Sequence, residues 1–215
     1  MINTCFVIGV VMVAFASRVS GHGFCKSPPS RSSMWNYGYD TPISYEYNQL
    51  WCGGYQLQNE VYEGKCGPCG DSFGDARPRA NENTGKYGLG IVTGTYTQGQ
   101  VLPATVDITA NHGGWIQFAI CKLNTTNQLE TEECFVPLKL KDSNETKFML
   151  SSTDNIDTTV QLQLPPHLVC QRCVLQWHYH TASRWGICDD GSVGNGCGPQ
   201  ETFRTCSDIS IVQMK

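Results

Sequence analysis

Twelve cysteines run through these 215 residues, and they constrain the fold more than any other feature. Cys5 heads an N-terminal segment whose residues 6 to 16 form an apolar run too short to span a bilayer. Small residues follow, with Val19 and Gly21 suitably placed before a cut after Gly21. Residues 1 to 21 therefore read as a secretory signal peptide that is removed on export, a short retained anchor being the alternative. Eleven cysteines then remain: Cys25, Cys52, Cys66, Cys69, Cys121, Cys134, Cys170, Cys173, Cys188, Cys197 and Cys206. In an exported chain this density reads as a disulfide framework. Eleven is odd, so five bridges and one leftover thiol are expected, in a pairing that spacing does not fix.

The remaining 194 residues (22–215) suit a single domain with a sizeable core, expected to be a secreted, extracellular monomer. Removal of the leader loses one arginine, so the acidic excess grows by one from the −4 of the full chain. Neither nucleic acid nor an anionic membrane is an expected partner of such a chain. The sequons at Asn124 and Asn144 predict glycosylation on surface loops.

Period-two patterning dominates the second half. Val160, Leu162 and Leu164 alternate with Gln161 and Gln163, as in a half-buried strand. Val106, Ile108 and Ala110 form another such face that runs on to His112, and Ile116, Phe118 and Ile120 form a third after Gly113-Gly114. Residues 174–180 and 209–212 add two more. From about residue 87 onward this predicts an all-β, immunoglobulin/fibronectin-III-like antiparallel β-sandwich. Residues 24–86 are rich in Gly, Pro, Ser, Asn and Tyr and hold four of the cysteines after Gly21. They read as a long, disulfide-stapled N-terminal loop insertion. Its aromatics Trp35, Tyr37 and Tyr39 are either a satellite core or a sugar-binding surface.

Several residues carry chemistry. A cut after Gly21 makes His22 the first residue, so that its α-amine and its Nδ1 can close a chelate ring on a metal. An amine with a pKa of about 8 yields its proton readily to a strong Lewis acid. One further imidazole completes an all-nitrogen set, which selects copper. His112 is the candidate, at the end of a strand face and freed by two glycines. The pair His178 and His180 is expected outward or bordering, with Trp177 and Tyr179 inward. The motifs Cys66-Gly67-Pro68-Cys69 and Cys170-Gln171-Arg172-Cys173 lack the helical setting of redox dithiols and are expected to bridge to distant partners.

His22-Gly23, Thr109-Ala110-Asn111-His112-Gly113-Gly114 and Glu201-Thr202-Phe203-Arg204-Thr205-Cys206 together resemble a lytic polysaccharide monooxygenase. The cysteine-rich insertion and Gln176-Trp177-His178-Tyr179-His180 resemble the fifteenth auxiliary-activity family. The resemblance covers residues 22–215 and implies one copper per chain on His22 and His112. It also implies an axial aromatic at Phe203, a small residue beside the open side at Ala110, and a polar neighbour at Glu201. It implies oxidative cleavage of an insoluble polysaccharide, chitin or cellulose, with peroxide or oxygen and an external electron donor. Chitin is the expected polymer. A non-catalytic copper carrier and a cysteine-rich chitin-binding module are the competing readings.

Overall fold

The computed structural model describes residues 21–214. Apart from Gly21, the segment read as a signal peptide lies outside the described residues. The strands are β1 (His22–Ser27), β2 (Gly94–Thr97), β3 (Val101–Ala110), β4 (Trp115–Lys122), β5 (Val136–Pro137), β6 (Lys139–Leu140), β7 (Lys147–Met149), β8 (Ile156–Gln163), β9 (Cys170–His180), β10 (Trp185–Ile187), β11 (Val193–Asn195) and β12 (Thr202–Val212). One sheet runs β1-β3-β8-β6, the other β2-β12-β9-β4-β5 with β7 also on β4, and β10 and β11 form a separate hairpin. The chain is thus the β-sandwich that the alternating faces predict. Leu102, Ala104, Val106 and Ile108 of β3 meet Ile116, Phe118 and Ile120 of β4 and Leu175, Trp177 and Tyr179 of β9 in one buried core.

The structure departs from the sequence reading at three places. β2 runs parallel to β12, with Ile209 opposite Gly94, so the sandwich is not wholly antiparallel. A parallel pair needs a long crossover, and here residues 98–201 separate the two strands. The sandwich also begins at His22 rather than near residue 87, because β1 pairs with β3. Gly23, Phe24 and Cys25 of β1 are all buried, so its sequence shows no alternation.

The third departure concerns Cys170 and Cys173, which bond to each other rather than to distant partners. Residues three apart on a regular strand face opposite ways. Here a register shift against Ile209 and Ile211 places both sulfurs in the core. The other bridges are Cys52–Cys66, Cys69–Cys206, Cys121–Cys134 and Cys188–Cys197. Among the described residues Cys25 alone stays free, so the eleven-cysteine pool divides into ten bonded and one buried thiol.

The insertion covers the outer face of the second sheet, so β9 and β12 are buried on both sides. Cys69–Cys206 ties it down across 137 residues, a loop length worth about 4–5 kcal/mol in chain entropy. Gln176 donates to Pro68 O at 2.7 Å, and the Arg31 N–H donates to Cys206 O at 2.8 Å. The Arg31 guanidinium is fully buried and forks onto Asp208 at 2.8 and 2.7 Å, with Glu130 at 2.7 Å. Removing one member of such a buried set leaves uncompensated charge and costs about 3–5 kcal/mol.

Burial pushes the Cys25 thiol up to about 12, so it stays protonated and shielded in the fold. An alkylating reagent at neutral pH should label no site in the native processed chain and one, Cys25, after denaturation without reduction. Mass analysis that finds three or more labelled cysteines would contradict this disulfide framework.

Candidate metal centre

One end of the sandwich gathers chemistry from both sheets. β1 pairs antiparallel with β3 so that His22 lies opposite Ala110, both half-buried. Two residues past Ala110 the chain turns through His112-Gly113-Gly114 and enters β4 in the other sheet. Gly114 has φ +88°, and a Cβ there would lie 2.1 Å from His180 O, so only glycine makes this turn. Asn111 holds the loop from within: its amide donates to Ser152 O (3.1 Å) and Asp154 O (2.8 Å), and its Oδ1 accepts from the Gly113 N–H (2.9 Å).

Tyr179 completes that clamp. Its hydroxyl accepts from the His112 N–H at 2.8 Å and donates to Asn111 Oδ1 at 3.3 Å. Burial pushes this phenol up to about 12, so it keeps its proton across the neutral range. Its ring stacks on Phe203, its partner across the β9–β12 ladder, with centroids 5.8 Å apart. Tyr179 is the functional residue that sequence reasoning assigned only to the core. The alternation of residues 177–180 places it inward, but its contact with residue 112 depends on the β4–β9 register.

His112, Phe203 and the backbone before His22 converge on one spot. A Cβ built on Gly21 would stand 3.0 Å from Phe203 Cε2 and 3.3 Å from His112 Cδ2. The Gly21 N–H donates to Glu201 Oε2 at 3.5 Å. Thus four of the expected positions, His22, His112, Phe203 and Glu201, meet around residue 21, with Ala110 beside His22. The His112 Nε2 is buried without a hydrogen-bond partner among the described residues. A buried, unpaired imidazole nitrogen is costly unless something else binds it, and a metal ion fits that need. Among the described residues no three His, Cys, Asp or Glu side chains converge as a group that could hold a metal.

Trp35, Tyr37 and Tyr39 of the insertion lie along β1 rather than at residue 21. Trp35 meets Tyr45 and Tyr47 edge-on at 6.0 and 6.1 Å, and Tyr47 in turn meets Phe24 at 4.8 Å. This is a satellite core on the outside of β1. Tyr37 and Tyr39 line a shallow pocket with Lys26, Ser27 and Thr105, at the far end of β1 from His22. Five residue steps of strand put that end roughly 16 Å away. Trp35 is thus part of an aromatic cluster, while Tyr37 and Tyr39 stand along β1, away from the histidines.

Exposed apolar side chains stand on the β10–β11 hairpin: Trp185 (74%), Ile187 (69%) and Val193 (67%). That hairpin is clamped by Cys188–Cys197 and adjoins the loop in which the Ala182 N–H donates to His112 O at 3.2 Å. Sequence reasoning passed over it, although its apolar residues alternate with Gly and Cys.

His178 and His180 border the outer face of the second sheet as expected. Trp115 stacks on His180 (4.9 Å) and meets His178 edge-on (5.1 Å), with the Lys147 ammonium 4.3 Å from the indole centroid. Burial, then the nearby Arg204 charge, holds His178 well below the usual histidine range, and burial with Lys147 lowers His180. Cationic neighbours make this pair a poor cation site. Asn124 and Asn144 are both exposed, where sequons are accessible.

The chain matches the family described as lytic polysaccharide mono-oxygenase, cellulose-degrading, over residues 22–209. Among solved structures it is similar to the lytic polysaccharide monooxygenase AA15 from Thermobia domestica in the Cu(I) state. The two share 43% identity with a TM-score of 0.86, over 88% of this chain and 98% of that one. No curated protein matches significantly.

Replacing Tyr179 with Phe removes the acceptor of the His112 N–H and the donor to Asn111 while keeping the ring. The variant should be less stable by about 1–3 kcal/mol in denaturant unfolding. A change of only a few tenths would mean that the hydroxyl does not hold the loop.

Proposed function

The chain belongs to the lytic polysaccharide monooxygenases, copper-dependent enzymes that cut polysaccharides oxidatively, and we propose that it does so with one copper ion on His22 and His112. The observation that carries the assignment is the convergence at residue 21. His112 brings a buried nitrogen without a partner, Phe203 brings an apolar wall, and β1 brings the first residue of the matched family region. On this reading the chain is cut after Gly21, and residues 22–215 are the working extracellular domain. The cut removes Gly21, whose backbone stands beside Phe203 and His112, and frees the amine of His22. Five disulfides fit an oxidising compartment, and no described helix is long and apolar enough to cross a membrane.

Copper held by His22 and His112 would supply one-electron redox chemistry, with an external donor and peroxide or oxygen as co-reactants, for oxidation of a carbon beside the glycosidic bond. The chain's own residues set the surroundings. Phe203 cannot ligate and excludes water from one side. Ala110, opposite His22 in the ladder, adds little bulk beside it. Glu201, whose Oε2 accepts the N–H of residue 21, faces the new amine and favours its retention near the site. Tyr179 and Asn111 fix the His112 backbone, so the imidazole is placed before metal arrives.

The polymer we propose is chitin. Trp185, Ile187 and Val193 offer an aromatic ring flanked by aliphatic groups, which suits the acetamido methyls of chitin as well as its sugar rings. Cellulose is the second reading, favoured by the description of the matching family.

Mass spectrometry of soluble products from crystalline chitin and from crystalline cellulose, with and without reductant, tests both points. Oxidised oligosaccharides from chitin that depend on reductant are the expected result. Oxidised products from cellulose alone would reverse the choice of polymer, and unoxidised sugars released without reductant would contradict the oxidative reading.

A further inference from the structure

Beside the metal centre lies a cavity of about 470 Å³, the size of a small-ligand site, walled by Trp51, Tyr55, Glu60, Arg184 and Glu201. Glu201 is the shared wall, since its Oε2 also receives the N–H of residue 21. The Arg184 guanidinium lies 3.6 Å from the ring centroid of Tyr55. Its backbone is fixed from both sides: its N–H donates to Gln200 Oε1 at 2.9 Å and its carbonyl accepts from Gln200 Nε2 at 3.0 Å. Gln200 is itself buried. The same segment continues into the clamped hairpin that carries Trp185, and Cys52–Cys66 braces the opposite wall. The cavity is built on stapled backbone rather than on loose loops.

Its chemistry is mixed in a particular way. Seated on Tyr55, the guanidinium takes part in none of the ion pairs among the described residues, so its N–H edge remains available. Glu60 and Glu201 add carboxylate acceptors, and Trp51 and Tyr55 add apolar ring surface. One guanidinium against two carboxylates does not select an anion. Two carboxylates beside a fixed guanidinium do not make a cation cage either. Hydroxyls both donate and accept, and a pyranose presents them around an apolar ring face. That combination fits every wall of the cavity.

We propose that this cavity is a subsite that grips a short stretch of a single glycan chain next to the histidine pair. The inference rests on the reading of the chain as a polysaccharide-cleaving enzyme and adds to it. Besides a flat crystal face, the protein holds one strand lifted from that face, or a free chain end, through Arg184, Glu60 and the Trp51–Tyr55 walls.

The test uses the processed protein, residues 22–215, without copper. Soluble chitin and cellulose trimers are titrated separately and followed by NMR, with the Trp51 and Trp185 indole N–H signals as reporters. The expected result is saturable binding of at least one trimer that shifts Trp51. Arg184→Gln should weaken binding about tenfold or more, as loss of charge-assisted hydrogen bonds does. Glu60→Gln should weaken it several-fold. Copper affinity, measured on the same variants, should stay at the parent value and shows that the fold is intact. Trimer binding that leaves Trp51 unmoved and is unchanged in both variants would overturn the subsite. So would displacement of the trimer by simple carboxylates such as acetate at equal concentration. Absence of trimer binding by protein that oxidises crystalline polymer once copper is restored would overturn this inference alone and leave the proposed function standing.

Discussion

The hydrogen-bonded register between β1 and β3 is the constraint on which the metal end depends. It sets His22 beside Ala110, two residues short of His112, and so brings the start of the domain to the turn between the two sheets. A slip of one residue would turn His22 to the other side of the ladder. The register is held where β1 is buried: Gly23 packs against Trp177 and the backbone of Asp107, and a Cβ there would sit 3.0 Å from the indole. The Gly23 N–H donates to Asn48 O at 2.9 Å, which fixes the free edge of β1 with the insertion. The first strand is thereby covered rather than left as an open edge.

The second sheet supplies the rest, and does so rigidly because β12 is buried on both faces. Inside it carries Phe203 to the site. Outside, Cys206 and Asp208 fasten the insertion through a disulfide and through Arg31. The ladder between β9 and β12 then seats Tyr179 against Phe203 and under the His112 loop. A disulfide-stapled insertion and a buried ionic cluster thus stabilise the strand that forms the apolar wall of the metal centre. The same insertion, through Trp51 and Tyr55, builds the neighbouring cavity.

Much of the architecture was legible in the residues. β3, β4, β8 and β9 announce themselves because one face of each is markedly more apolar than the other. β1 does not, because Gly23, Phe24 and Cys25 are all covered and a strand buried on both sides has no alternation to read. The parallel place of β2 and the bond between Cys170 and Cys173 depend on long-range register and a local bulge, neither of which spacing reveals. At the site, the motifs around His22, His112 and Phe203 were readable as a resemblance, and their meeting at residue 21 is a fact of topology. Tyr179, Trp185 and Arg184 were missed because their roles come from what stands opposite them. For Trp35 and Tyr37 the residues left a satellite core and a sugar face both open, because the choice rests on what stands beside them: Trp35 meets Tyr45 and Tyr47 edge-on, and Tyr37 lines a shallow pocket with Lys26.

The central claim is that the main-chain amine of His22, with its own imidazole and that of His112, holds the metal. Copper affinity compared between the chain beginning at His22 and a variant keeping Gly21 ahead of it tests this most directly. The variant retains both imidazoles, but its first amine is displaced by one residue, with Gly21 beside Phe203 and His112. Loss of one of three nitrogen donors should weaken copper binding about a thousandfold, roughly 4 kcal/mol. Equal affinity in the two proteins, with the extra glycine verified in place after the titration, would contradict the account.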